Sequence, residues 1–124
     1  MFKANAGDID HIIVGNKFAV IETKNGRGLV THTRQGKLAI NGKEMYRSPL
    51  IQARKQAQHL SKLTGVNVTP ILCIINAENS PLKIEGVQIV NISQLPDVLA
   101  SLPDVLTPEQ SQEMVKFLLS KQLN

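Results

Sequence analysis

Tryptophan is absent from this chain, and one tyrosine and three phenylalanines are its only aromatic residues. So small a supply argues against a surface that stacks nucleic-acid bases on aromatic rings. Cysteine occurs once, as Cys73, which excludes an internal disulfide and a Cys-based zinc site. A single thiol also fits a reducing, cytoplasmic setting. No apolar run approaches the roughly 20 residues needed to cross a bilayer, so no membrane partner is expected. The opening residues, MFKANAGD, lack the apolar core of a signal peptide.

Acidic residues are nearly missing from one region. Residues 23–77 hold nine basic side chains (Lys24, Arg27, Arg34, Lys37, Lys43, Arg47, Arg54, Lys55 and Lys62) against the single acid Glu44. Residues 78–124 reverse the balance, with six acids against three lysines. Lysine and arginine contacts to phosphate drive sequence-independent binding, so the basic half points to a polyanionic partner. What is present otherwise suits one globular domain over residues 1–124, with 42% hydrophobic and 19% charged residues.

The pattern along the chain mixes strands and helices. Residues 9–14 and 18–24 read as a β-hairpin rich in isoleucine and valine, and GLVTHT with KLAING as a second pair around Arg34-Gln35-Gly36. SPLIQARKQAQHLSKLTG predicts a helix, with Ser48 as N-cap, Pro49 in the first turn and Gly65 as the left-handed cap. Leu50, Ala53, Ala57, Leu60 and Leu63 recur at helical spacing and should face a sheet. VTPILCIINA, residues 68–77, is almost continuously apolar, as a strand covered on both faces must be. GVQIV opens another strand, and a short helical piece follows around residues 94–101. Thr107-Pro108-Glu109-Gln110 reads as a capping box for a last helix, with Met114, Val115, Leu118, Leu119 and Leu123 as its apolar stripe. The order of elements predicts an α/β fold: a mixed central sheet flanked by helices.

Charges interrupt the first hairpin. In GDIDHIIVGNKFAVIETKN, Asp10 breaks one apolar run, and Glu22 and Lys24 break the other. Charges in buried strands are costly unless something pairs or uses them. Strand side chains alternate faces, so register decides whether these three meet. A three-residue loop, Gly15-Asn16-Lys17, pairs Val14 with Phe18, Ile12 with Val20, Asp10 with Glu22 and Asp8 with Lys24. A two-residue closure through Asn16-Lys17 puts Asp10 and Glu22 on opposite faces. Turn chemistry permits either; only the first gathers the odd charges into one cluster. Two opposed carboxylates repel, and a hard divalent cation such as Mg²⁺ or Mn²⁺ removes the conflict. A lysine beside such a cation suits phosphodiester hydrolysis. A self-satisfying Glu–Lys or Asp–Lys ion pair is the structural alternative.

These residues resemble the PD-(D/E)xK nuclease superfamily, and within it the nuclease-related domain, NERD. GDIDHIIVG…FAVIETKNGRG is similar to that family's first two core motifs, with Asp10 as the lone acid and Glu22-Thr23-Lys24 as the (D/E)xK. RSPLIQARKQAQHL resembles the segment in which a glutamine follows a proline-containing helix start, here Gln52. The resemblance covers most of residues 7–92 and rests on three motifs in order. It implies a restriction-endonuclease-like core and a Mg²⁺- or Mn²⁺-dependent endonuclease acting on DNA rather than RNA. Asp10 and Glu22 would bind the metal with the Thr23 carbonyl, and Lys24 would sit by the attacking water. Gln52 would orient that water or touch the phosphate. Arg27, Arg54 and Lys55 are the expected nucleic-acid contacts. Gln56 and His59 share the Gln52 stripe and could line the groove, although surface solvation is the expected role for both. The family's usual N-terminal helix, often with a further acid, is expected to be lacking here. A homodimer partner could cover the sheet flank so vacated, and Asp8 could stand in for the acid. The rival expectation is a catalytically weak module that keeps the fold and binds nucleic acid or protein.

Other polar features attract no role. His11 is expected to point away from Asp10 and to pack or hydrogen-bond. His32 has no acid nearby in sequence, and Cys73 should pack as a small hydrophobe. NGRG and NGKE read as turns.

Overall fold

The computed structural model describes residues 2–4, 7–9, 11–33, 37–45 and 48–123, with side chains described between positions 11 and 121 of those ranges. Its elements run β1 (Phe2–Ala4), β2 (Gly7–Ile9), β3 (His11–Val14), β4 (Phe18–Gly28), β5 (Val30–His32), β6 (Leu38–Ile40), β7 (Lys43–Glu44), α1 (Pro49–Thr64), β8 (Thr69–Ala77), β9 (Leu82–Ile84), β10 (Val87–Val90), α2 (Leu95–Ser101) and α3 (Pro108–Leu123). A five-stranded sheet in the order β3-β4-β8-β10-β9 is the frame. The pairs β4–β8 and β8–β10 are parallel, while β3–β4 and β10–β9 are antiparallel. The expected mixed sheet flanked by helices is therefore present. No helix among the described residues is long and apolar enough to cross a membrane.

Both faces of the sheet are covered. Phe18, Val20, Leu72, Ile74, Val87 and Ile89 turn to one face, where Leu50, Ala53, Ala57 and Leu60 of α1 and Leu118 of α3 pack. Ala19, Ile21, Ile71, Cys73 and Val90 turn to the other, under Leu95, Val98 and Leu99 of α2 and Leu102. Double coverage explains the unbroken apolar run of β8, buried from Ile71 through Ile74.

The helix ends follow the sequence closely. Ser48 Oγ accepts from the Ile51 amide at 3.4 Å, and Gly65, at φ +74°, donates its N–H to the Ser61 carbonyl. The capping box of α3 is reciprocal: Gln110 N donates to Thr107 Oγ1 at 3.1 Å, and Thr107 N donates to Gln110 Oε1 at 2.9 Å. Its apolar stripe is placed differently. Leu118 is buried and Phe117 half-buried, while Val115 and Leu119 are 41% and 52% exposed, because α3 rests on the sheet through positions 114, 117 and 118. Leu123 lies outside the described side chains.

Two loops depart from the expected turns. NGKE does turn, with Asn41 and Gly42 both at positive φ. NGRG instead continues β4, with a register shift between Lys24 and Arg27. Asn41 fastens this segment: its Oδ1 accepts from the Leu29 amide at 2.8 Å, and its backbone N–H donates to the Leu29 carbonyl. A Cβ on Gly26 would stand 2.7 Å from Ile40 Cδ1, and one on Gly28, at φ +126°, would overlap the Asn41 side chain. Close approach, not turning, is what these glycines supply.

Candidate active site

The register of the β3–β4 hairpin comes first, since it decides which side chains share a face. Val14 pairs with Phe18, Ile13 with Ala19, Ile12 with Val20 and His11 with Ile21. The loop is thus the three-residue one, closed by the Gly15 amide donating to the Lys17 carbonyl at 3.0 Å. The segment joining α2 to α3 holds this turn in place. Lys17 Nζ lies 2.7 Å from Asp104 Oδ1 and donates to the Leu102 carbonyl, while the Val105 and Leu106 amides donate to the Asn16 carbonyl. Asp10, and with it the expected Asp10–Glu22 pairing, lies outside the described residues. Asp8, expected opposite Lys24, has Lys3 as its ladder partner in the separate β1–β2 sheet.

Glu22 and Lys24 follow Val20 at two-residue steps along β4 and point to the α1 face. Glu22 is 2% exposed and Lys24 keeps 36% of its side chain in solvent. Lys24 Nζ stands 3.3 Å from Glu22 Oε1. A carboxylate is thus sunk beneath the helix, with an ammonium beside it at the solvent side. Thr23, between them, turns to the α2 face and is half-buried. Its side chain therefore leaves the pair, and only its backbone remains near them.

Gln52 and Gln56 lie one turn apart on α1. Gln52 is half-buried, whereas Gln56 is fully buried. Solvation, the sequence-based expectation for Gln56, is corrected: the residue sits within the core stripe of Ala53, Ala57 and Leu60. Its position one residue before Ala57 and four before Leu60 carried that signal. His59 is half-buried; His11 is exposed, so of the two roles expected for it, packing or hydrogen bonding, packing does not hold.

The basic candidates are dispersed. Arg27 is exposed on β4 beyond the register shift, and Lys55 is exposed on α1. Arg54 leaves α1 on the flank opposite Gln52 and Gln56. There its Nη1 lies 3.5 Å from Glu85 Oε2, and Glu85 Oε1 lies 3.9 Å from His32 Nε2. His32 thus has an acid partner far away in sequence. Cys73 is buried, and burial pushes its thiol pKa up.

Among the described residues no three His, Cys, Asp or Glu side chains gather as a metal cluster. The donors in view at the α1 face are the Glu22 carboxylate and backbone carbonyls. Hard oxygens of this kind fit Mg²⁺ or Mn²⁺ better than zinc or copper.

A mixed sheet carrying a buried acid and a neighbouring lysine on its longest strand, β4, places the chain among α/β nuclease-like folds. A family model described as the nuclease-related domain matches residues 2–81, which takes in every element from β1 through β8. The chain belongs to the nuclease-related domain family. No curated protein and no solved structure gives a significant match.

Proposed function

We propose that this domain hydrolyses phosphodiester bonds in DNA with the help of Mg²⁺ or Mn²⁺. The observation that carries the reading is Glu22, buried on the α1 face with Lys24 Nζ 3.3 Å from its carboxylate. Family membership supports it. Glu22 and Asp10, with the Thr23 carbonyl, would hold the cation. A cation held there would supply Lewis-acid polarisation of the phosphate and make a water more acidic.

The chain's own residues do the rest. Lys24 sets a positive charge where negative charge grows on the phosphate, in a site partly closed to water. Gln52, half-buried one turn nearer the start of α1, offers an amide to orient water or phosphate. Arg27, Lys55 and Arg54 attract the polyanion, with Arg54 first having to leave Glu85. In the net reaction, water adds to phosphorus, one P–O ester bond breaks, and a monoester and an alcohol form. The lone buried thiol accords with a cytoplasmic setting, and a homodimer covering the β3 edge of the sheet is compatible with this site.

A second reading has its own observation. Lys24 and Glu22 already pair with each other, so the site is able to persist as a structural ion pair in a module that only binds nucleic acid or protein. Supercoiled plasmid incubated with Mg²⁺ or Mn²⁺, with and without EDTA, separates the two. Cation-dependent nicking that is lost in Glu22→Ala and Lys24→Ala supports the nuclease. Salt-sensitive DNA binding without nicking supports the binding module.

A further inference from the structure

Glu22 and Gln56 are the buried polar or charged residues of the described chain, at 2% and 0% exposure. They come from different elements, β4 and α1, yet occupy the same layer. Val20 packs with Ala57 and Leu60, while Ile74, the ladder partner of Lys24, packs with Leu50 and Ala53. The helix therefore runs antiparallel to β4, and Glu22, midway between Val20 and Lys24, falls level with the turn from Ala53 to Ala57. Gln56 belongs to that turn. It leaves α1 on the flank opposite Arg54. Arg54 faces Glu85 in the β9–β10 turn, so Gln56 faces the β4 and β3 side of the sheet.

Apolar packing alone would place leucine or methionine at position 56, since both match glutamine in helix propensity and would extend the surrounding core. A buried amide must instead have its N–H and C=O groups answered, because one left unanswered keeps its full desolvation penalty. Glutamine differs from leucine in offering two N–H donors, and a carboxylate is the acceptor that rewards them most. Among the described residues, Glu22 is the buried carboxylate of that layer.

We propose that Gln56 is a positioning residue for Glu22: its side-chain NH₂ donates to the carboxylate and fixes the rotamer in which that group faces Lys24 and a divalent cation. This rests on the metal-dependent reading above. Gln52 differs in role, because it lies one turn nearer the helix start, level with Lys24 and half in solvent, where substrate arrives. The two glutamines thus divide between the carboxylate and the substrate.

The test replaces Gln56 with methionine, close in volume and helix propensity but without donors. Mn²⁺ affinity by calorimetry, melting temperature, and kcat and KM for plasmid nicking are read together. The expected result is a folded Gln56→Met protein whose Mn²⁺ affinity falls roughly tenfold or more, the usual scale for losing an outer partner of a metal ligand. Its kcat falls alongside, and KM for DNA stays near that of the wild type. If Gln56→Met does not fold, Gln56→Leu serves the same comparison. A folded variant that matches wild type in Mn²⁺ affinity and kcat overturns the positioning role and leaves the metal site standing. A wild type that neither binds Mn²⁺ nor nicks DNA overturns the metal reading, and the role of Gln56 with it.

Discussion

Lys24 Nζ stands 3.3 Å from Glu22 Oε1, but the two side chains live in different surroundings: the acid is 3% exposed and the lysine 36%. The pair is therefore lopsided. The lysine can recover water if its partner is lost, by extending its stem along the surface. The acid cannot. Removing one partner of a buried pair costs about 3–5 kcal/mol when it strands a charge. Solvent at Lys24 reduces that figure here. Lys24→Met should destabilise the fold by about 1–3 kcal/mol, read as a shift of the urea midpoint at unchanged slope.

The Gly28–Asn41 contact makes a prediction independent of function. Gly28 sits at φ +126° with the Asn41 side chain packed where a Cβ would go. Gly28→Ala should cost about 2 kcal/mol or more, combining backbone strain with overlap. Asn41→Ala should cost less, about 1 kcal/mol, since it removes the hydrogen bond to the Leu29 amide but opens space. Thermal melts of the two variants check the order.

Burial raises the Cys73 pKa, so the native thiol stays protonated at pH values where a free one begins to ionise. Thiolate reagents at pH 8 should therefore react with Cys73 only as fast as the protein opens, and at once in denaturant. Because the folded pKa lies above the unfolded one, this group's contribution to stability is complete below the unfolded value. It declines as pH rises from there through the folded value. Melting temperatures taken from pH 7 to 10 should fall at the alkaline end, and less so in Cys73→Ala.

DNA affinity should depend on salt through the exposed cations. Arg27→Ala and Lys55→Ala should each weaken binding evenly across sequences and lower the slope of log K against log salt by about 1. Arg54→Ala should change that slope less, because Glu85 already holds this side chain. Titrations at several salt concentrations give all three slopes.

Much of this was legible from local pattern. The caps of α1, the capping box of α3 and the doubly covered β8 were readable because each depends on a few neighbouring residues. The three-residue loop followed from asking which register gathers the charges, and pairs Val14 with Phe18 as expected. What stayed hidden depended on distant partners. Gly26 and Gly28 look like turn residues until Ile40, Ile74 and Asn41 close on them. His32 looks partnerless until Glu85 arrives from the β9–β10 turn. Gln56 looks solvated because polar residues usually are, and only the packing of α1 on β4 buries it. Within the site, Glu22 and Lys24 were readable as sharing one face, while the dispersed placement of Arg27, Arg54 and Lys55 was not, since strand ends and helix flanks set where they point.

The measurement that bears most directly on the central claim is plasmid nicking by Glu22→Gln beside wild type in Mn²⁺, each first shown folded by its melting curve. Neutralising a buried carboxylate relieves desolvation, so the variant should be no more than about 1 kcal/mol less stable than wild type, or more stable. Wild type should nick the plasmid and stop on adding EDTA, and folded Glu22→Gln should lose at least about a hundredfold in rate. Equal nicking by both proteins, or none by wild type with either cation, would contradict the account.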